Sequence, residues 1–154
     1  MRIKHKSSLR LTDVMEDQTL RWKFEAYLKD NERSIENLEF VSWFEDYKIK
    51  FRKITPQMQA KEAIRVLTRY FYRNSSHELN LDEDVKVKTI NVVKYCIDNR
   101  QPVHPSGFQQ AFEISRSLIE CSSIPMFISH LKARKRPSLR DVLSSNIRRS
   151  FESF

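Results

Sequence analysis

Three polar side chains have surroundings that suggest binding chemistry: Glu36, Asn37 and Asn80. Glu36 and Asn37 lie side by side at the start of a predicted helix, after a polar loop, and we expect both to point away from the apolar side of that helix. Asn80 lies between Leu79 and Leu81 in a second polar loop, and we expect both leucines to hold that loop on the core. The Asn80 amide would then face outward with its donors and acceptors free. Ordinary helix capping and solvation also account for the Glu36–Asn37 pair when it is considered alone.

The usual signatures of enzymes and cofactor sites are missing from the sequence. Its four histidines are scattered, without metal-ligand spacing, and its two cysteines have no histidine pairing. A single glycine excludes the glycine-rich loops that bind nucleotide phosphates. The sequence therefore predicts a binding module that has no catalytic residues of its own and uses neither a metal nor a cofactor.

A central helix over residues 34–51 must position the first pair. Ser34 is a suitable N-cap, and Glu36 in the first turn favours the helix dipole. Apolar residues recur every three or four positions and form one broad stripe, which predicts packing on more than one side: Ile35, Leu38, Val41, Phe44, Tyr47 and Phe51. Similar spacing predicts helices beginning near residues 12, 19, 55, 82, 106 and 123. Because no strand-like alternation occurs, the predicted fold class is all-α.

The positive charge lies at the two ends of the chain. The formal net charge is +8, but residues 1–10 and 132–154 contain most of the excess of lysine and arginine. The residues between these two ends carry almost no net charge. This disfavours a nucleic-acid-binding surface, which would have basic residues spread over the folded face. We therefore predict a basic N-terminal arm over residues 1–10, a globular domain over 11–135 and a basic amphipathic helix over 136–154.

The C-terminal segment combines an apolar stripe with basic residues. A helix of this kind can lie on an anionic membrane surface, or it can fold back so that its stripe joins the core. Both alternatives remain open. Without a signal peptide or a long apolar run, we expect a cytoplasmic protein, peripheral at the inner face of the plasma membrane. The predicted membrane-binding residues are Arg140, Leu143, Ile147, Arg148, Arg149 and Phe151.

Five short motifs resemble the regulator of G-protein signalling (RGS) domain. They are L-x-x-V-x-x-D, F-x-x-Y-L-K, S-x-E-N-L-x-F, E-D-Y-K and E-L-N-L-D, and the resemblance covers about residues 11–134. It implies a bundle of about nine helices in two subdomains. It also implies binding to the switch regions of a G-protein α subunit and acceleration of its GTP hydrolysis. By this resemblance Glu36 and Asn37 contact the switches, and Asn80 holds the region of the catalytic glutamine.

The resemblance is incomplete in a third contact group. The family has Leu, Asp and Arg at four-residue intervals, and the matching positions here are Leu118, Ser122 and Met126. In the family the Asp engages the backbone of a switch threonine and the Arg braces that Asp. The absence of such a charge-assisted contact costs about 1.5–3 kcal/mol. The sequence therefore leaves two functions open: a GTPase-activating protein, and an RGS-like scaffold or membrane-trafficking adaptor without that activity.

Overall fold

The computed structural model describes residues 9–135, which form helices and no strand. The predicted all-α class is therefore confirmed for this part of the chain. The α-helices are α1 Leu11–Glu16, α2 Gln18–Tyr27, α3 Ile35–Lys50, α4 Pro56–Val66, α5 Glu83–Asp98, α6 Gln109–Leu118 and α7 Ile124–Lys135.

Short π- and 3₁₀-turns extend several of these helices. They cover Leu28–Glu32, Phe51–Lys53, Leu67–Phe71, Pro105–Phe108 and Ile119–Ser123. Within residues 9–135 the α-helices and turns join into six continuous helical segments, so the expected count of nine is wrong. One reason is that a π-turn widens a helix without ending it. The predicted helix start near residue 123 is such a case, because α6 continues through Ile119–Ser123 into α7. The division into two subdomains stays a prediction.

Helix α3 lies at the centre of the core, as its broad apolar stripe predicts. Phe40 and Phe44 are fully buried, and Phe44 stacks on Phe112 of α6 with 4.2 Å between ring centroids. Phe40 also contacts Phe71, edge to face, at 5.5 Å. Burying each such ring contributes about 1.5–3 kcal/mol, so α3 is held in place by α6 and the end of the α4 segment.

The last described helix packs against the second one. Phe127 of α7 lies 5.1 Å from Phe24 and 5.5 Å from Tyr27, measured between ring centroids. This packing brings the junction of α6 and α7 close to the chain between α2 and α3. The first pair of candidate residues, Glu36 and Asn37, follows that chain directly, at the start of α3.

Two predicted helix starts are confirmed, and they differ in their capping. Thr55 accepts a hydrogen bond from the Met58 amide at 3.3 Å, and Pro56 occupies the first helical position. Ser34 occupies the N-cap position of α3, as predicted, but its side chain makes no capping hydrogen bond.

The predicted membrane-binding residues lie outside the described part of the chain: Arg140, Leu143, Ile147, Arg148, Arg149 and Phe151. Across residues 9–135 no helix is both long enough and apolar enough to cross a bilayer.

Candidate protein-binding site

The first candidate segment lies where α2 gives way to α3. Arg33 has a φ of 54°, a left-handed conformation that lets the chain turn sharply after a helix. The Ser34 amide then donates to the Leu28 carbonyl at 2.9 Å, which closes the turn. As a result, Glu36 and Asn37 occupy the first turn of α3, at the positive end of the helix dipole.

Contrary to the prediction, Asn37 does not point away from the buried side of α3. Its side chain is only 8% exposed, and Oδ1 has no hydrogen-bond partner among residues 9–135. Within the same part of the chain, the Oγ of Ser34 and Oε2 of Glu32 are also buried without a partner, whereas Glu36 is half-buried. Asn37 is drawn inward because it begins the buried side of α3 with Leu38. An unpaired buried polar group costs about 1–3 kcal/mol, so three such oxygens together make this turn a distinctive feature of the fold.

The second candidate segment is the loop that presents Asn80. Leu79 is fully buried, Leu81 packs partly against the core, and Asn80 between them is exposed. The Leu79 amide donates to the Tyr70 carbonyl at 2.9 Å, which joins the loop backbone to the end of the α4 segment. The expected arrangement, two leucines holding the loop and Asn80 outward, is confirmed.

A polar network links this loop to α3. Glu39, one turn into α3, accepts hydrogen bonds at Oε2 from Tyr70 Oη at 3.1 Å and from Arg69 Nη2 at 3.2 Å. The same Arg69 nitrogen lies 3.3 Å from Nε2 of His77 in the Asn80 loop. The structure thus brings the first and second segments together. This network could not be predicted from the sequence, because Glu39 lies 30 positions from Arg69 along the chain.

The protonation states of the network follow from its surroundings. Burial raises the pKa of the Tyr70 hydroxyl, so it stays a neutral donor. Hydrogen bonds with Tyr70 and Glu39 raise the pKa of the Arg69 guanidinium, which therefore stays charged. The Glu39 carboxylate accepts a hydrogen bond from each of these two groups.

The third candidate segment runs along the joined α6 and α7. Leu118, Ser122 and Met126 are all exposed, so these side chains are free to meet a partner. Two of them are large and apolar, and none is charged. The segment therefore offers apolar contact where the family pattern has an Asp–Arg pair.

The neighbouring Ser123 links the third segment to the first. It is 2% exposed, and its Oγ donates to Oε1 of Glu32 at 2.8 Å. With the Glu39 network, this bond places all three candidate segments on adjoining parts of the molecule. The sequence did not identify Glu32 or Ser123 as site residues. The one available signal was that Ser123 follows Ser122, which matches a contact position of the family.

These segments together suit recognition of another protein. They offer an outward amide and exposed apolar side chains, which complement polar and apolar groups on a partner. Within residues 9–135 no three His, Cys, Asp or Glu side chains are grouped in a way that would hold a metal ion.

A comparison with family models gives one match: the model described as "Regulator of G protein signaling domain" matches residues 10–132. A comparison with curated proteins finds no significant match. The matched region includes all three candidate segments and α1 to most of α7. Since the family model covers well over half of the chain, this protein belongs to the RGS family.

Proposed function

We propose that this protein binds the GTP-loaded α subunit of a heterotrimeric G protein and accelerates its GTP hydrolysis. Membership in the RGS family supports a role in regulating G-protein signalling. The observation that carries the finer proposal is the exposed Asn80 amide, on a loop that the buried Leu79 holds on the core. An amide in that position can donate to and accept from groups of a partner.

Asn80 would supply the acceleration. GTP hydrolysis depends on a water molecule that a glutamine of the α subunit must orient. The exposed Asn80 amide can donate to and accept from that region, and the buried Leu79 holds its loop in one position. A partner group that is already in place stabilises the transition state without a cost of reorganisation. The α subunit retains the catalytic groups, and this protein contributes their positioning.

Glu32 would compensate in part for the uncharged side chains at Ser122 and Met126. Its Oε1 accepts from Ser123, while its Oε2 is buried without a partner among residues 9–135 and would have to turn toward the surface to meet a partner. A carboxylate oxygen is a strong acceptor for backbone N–H groups, the type of interaction that the family's Asp makes. We therefore expect binding to survive the absence of the Asp–Arg pair.

The test is single-turnover GTP hydrolysis by a panel of α subunits. Wild-type protein should accelerate at least one of them. Asn80→Ala should lose most of that acceleration, at least about tenfold, as expected when a positioned donor is removed. Asn91→Ala, which changes an exposed asparagine on α5, is the matched control and should behave as wild type. Unchanged hydrolysis with every α subunit would overturn the proposed activation.

The second candidate function is an RGS-like scaffold or adaptor that binds without activating. The uncharged Ser122 and Met126 favour it. Binding to an α subunit loaded with GDP and aluminium fluoride, measured by calorimetry, separates the two. Tight binding with an unchanged rate of hydrolysis would establish the scaffold, whereas binding with acceleration would exclude it.

A cytoplasmic location with attachment to an anionic membrane through residues 136–154 is also part of the proposal. Its support is the sequence pattern of basic and apolar residues. Phe151→Glu should weaken flotation with phosphatidylserine vesicles more than Ser145→Glu, which adds the same charge outside the stripe. Equal flotation of both variants and wild type would refute attachment by this stripe. A lower melting temperature of Phe151→Glu without vesicles would instead indicate that the segment packs on the bundle.

A further inference from the structure

The joined α6 and α7 carry an uncharged strip over residues 117–129. Glu120 is the one charged residue in that range of the sequence. The chain as a whole is 31% charged, so a stretch of this length would ordinarily hold about four charged residues. Glu120 pairs with Arg116 at 3.3 Å, one turn earlier, so its charge is already matched. Every exposed residue of the strip is therefore uncharged.

The strip presents two large apolar side chains to solvent. Met126 is 59% exposed and Leu118 is 37% exposed. They lie eight positions apart with Ser122 midway, a spacing that puts all three on one side of a continuous helix. Ile119 and Ile124 of the same helix are fully buried and fill the core from the other side. Within residues 9–135, neither Leu118 nor Met126 belongs to that core.

An exposed surface without charges is typical of a surface that another protein covers. The centres of protein interfaces are depleted in charged residues and enriched in methionine. Such a surface also discriminates between partners. A charged group brought against it would be buried without a counter-charge, which costs free energy, whereas an apolar group would meet no such penalty.

The strip adjoins the first candidate segment. Ser123, within the strip, is buried and donates to Glu32 at 2.8 Å. Glu32 lies in the turn that leads to Glu36 at the start of α3. A partner that contacts Glu36 would therefore lie against the uncharged strip as well.

We infer that Leu118 and Met126 determine which α subunit this protein binds. They select a subunit whose facing surface is apolar, and they exclude a subunit that presents a charged group there. This selection rests on the proposed function, because the partner is the same α subunit. It adds the basis on which one α subunit is preferred over another.

A matched pair of methionine substitutions tests the strip. Met126→Lys places a charge in it, whereas Met58→Lys makes the same change at a methionine of α4 that is 53% exposed. The ligand is the α subunit that wild type binds most tightly, loaded with GDP and aluminium fluoride. Met126→Lys should lower the affinity at least about tenfold, and Leu118→Lys should do the same. Met58→Lys should stay close to wild type, and equal affinities of the two methionine variants would overturn the inference.

Selection itself is tested with a panel of α subunits. Ser122→Asp combined with Met126→Arg introduces the charged pair of the family pattern. This double variant should lose affinity for the subunit that wild type prefers and gain affinity for at least one that wild type binds weakly. Met126→Leu keeps an apolar side chain and should keep the wild-type order of affinities. An unchanged order in the double variant would contradict selection by the strip.

Cys121, an exposed residue of the strip, reports directly on whether a partner covers it. The preferred α subunit, loaded with GDP and aluminium fluoride, should protect Cys121 of the full-length protein from alkylation by iodoacetamide, as measured by mass spectrometry. Protection that appears without any α subunit and grows with the concentration of this protein would show that a second copy covers the strip, and would overturn the inference.

The outcomes separate the inference from the proposed function. Wild type that binds an α subunit while Cys121 stays unprotected would sink the selection by the strip and leave the proposed function standing. Wild type that binds no α subunit would refute both.

Discussion

Ser123 donates its hydroxyl hydrogen bond to Glu32, 91 positions earlier in the sequence, at 2.8 Å. Both side chains lie next to residues that the family resemblance predicts to contact a partner. The bond fixes the junction of α6 and α7 against the turn that precedes α3. The other oxygen of this carboxylate, Oε2, has no hydrogen-bond partner among residues 9–135.

We expect Ser123→Ala to lower the free energy of unfolding by about 1–3 kcal/mol, because the Glu32 carboxylate loses its hydrogen-bond donor while it stays buried. Urea unfolding measures this change. Ser122→Ala alters the adjacent, exposed serine and should remain within about 0.5 kcal/mol of wild type. Equal effects of the two substitutions would show that the Ser123–Glu32 bond adds no stability.

Glu32→Gln separates recognition from folding. The amide oxygen can still accept from Ser123, but an NH₂ group replaces the free Oε2 and opposes N–H donors of a partner. If the proposed partner is correct, affinity for the aluminium fluoride form of the α subunit should fall by about 1.5–3 kcal/mol, with no loss of melting temperature. Glu45→Gln, at an exposed position of α3, is the charge-matched control. Unchanged affinity of Glu32→Gln would remove Glu32 from the site.

Tyr47 predicts how stability responds to alkaline pH. Its hydroxyl donates to the Val103 carbonyl, and burial, with a further contribution from Glu62, raises its pKa far above the usual value. Above about pH 10 the unfolded chain loses this proton and the folded chain keeps it. The free energy of unfolding should therefore fall as the pH rises beyond 10, since the unfolded state then binds fewer protons.

Tyr47→Phe removes one titrating group and should make this alkaline decline less steep, while Tyr70, whose pKa burial also raises, keeps its own contribution. At pH 8 the variant should be less stable by about 1–1.5 kcal/mol, because it cannot make the hydrogen bond to Val103. Tyr95→Phe changes a tyrosine that is 62% exposed and should keep the decline of wild type. Urea unfolding at a series of pH values measures both slopes. The same slope for Tyr47→Phe and wild type would exclude Tyr47 as the source of the decline.

Gly107, the sole glycine in the sequence, should be replaceable. Its φ is not positive, and an added Cβ would lie 3.6 Å from methyl carbons of Val92 and Val93, an ordinary contact distance. Alanine restricts the unfolded chain, so Gly107→Ala should stabilise the protein by about 0.4–1 kcal/mol. A rise of the melting temperature in calorimetry would confirm this, and a decrease would show that the 3₁₀-turn does not tolerate the methyl group.

Local features of the fold were predictable from the sequence because they depend on neighbours along the chain. The apolar stripe of α3 identified the central helix, whose observed bounds are Ile35–Lys50. Thr55 and Pro56 identified the start of α4 through an N-cap and a preset φ. Leucines on both sides of Asn80 predicted a held loop with an outward amide, as observed. Spacing of this kind is enough to determine which face of an element is buried.

The joining of α6 and α7 was not predictable in this way. Ser122, Ser123 and Pro125 together have the composition of a helix start, which led to the expectation of a separate helix. The structure instead continues through a π-turn, and the Ser123 hydroxyl donates to Glu32. Because α6 runs into α7 without interruption, the amides there bond along the helix and no side-chain cap is needed.

By itself, then, the sequence determined an all-α protein, its central helix and the loop that presents Asn80. Only the tertiary structure decided that Asn37 is buried with a free acceptor, that Glu32 is joined to Ser123, and that Arg69 connects α3 with the Asn80 loop. The physical reason is range. Periodicity and caps act over a few residues, whereas hydrogen bonds between segments 30 to 91 positions apart form only after the helices have packed.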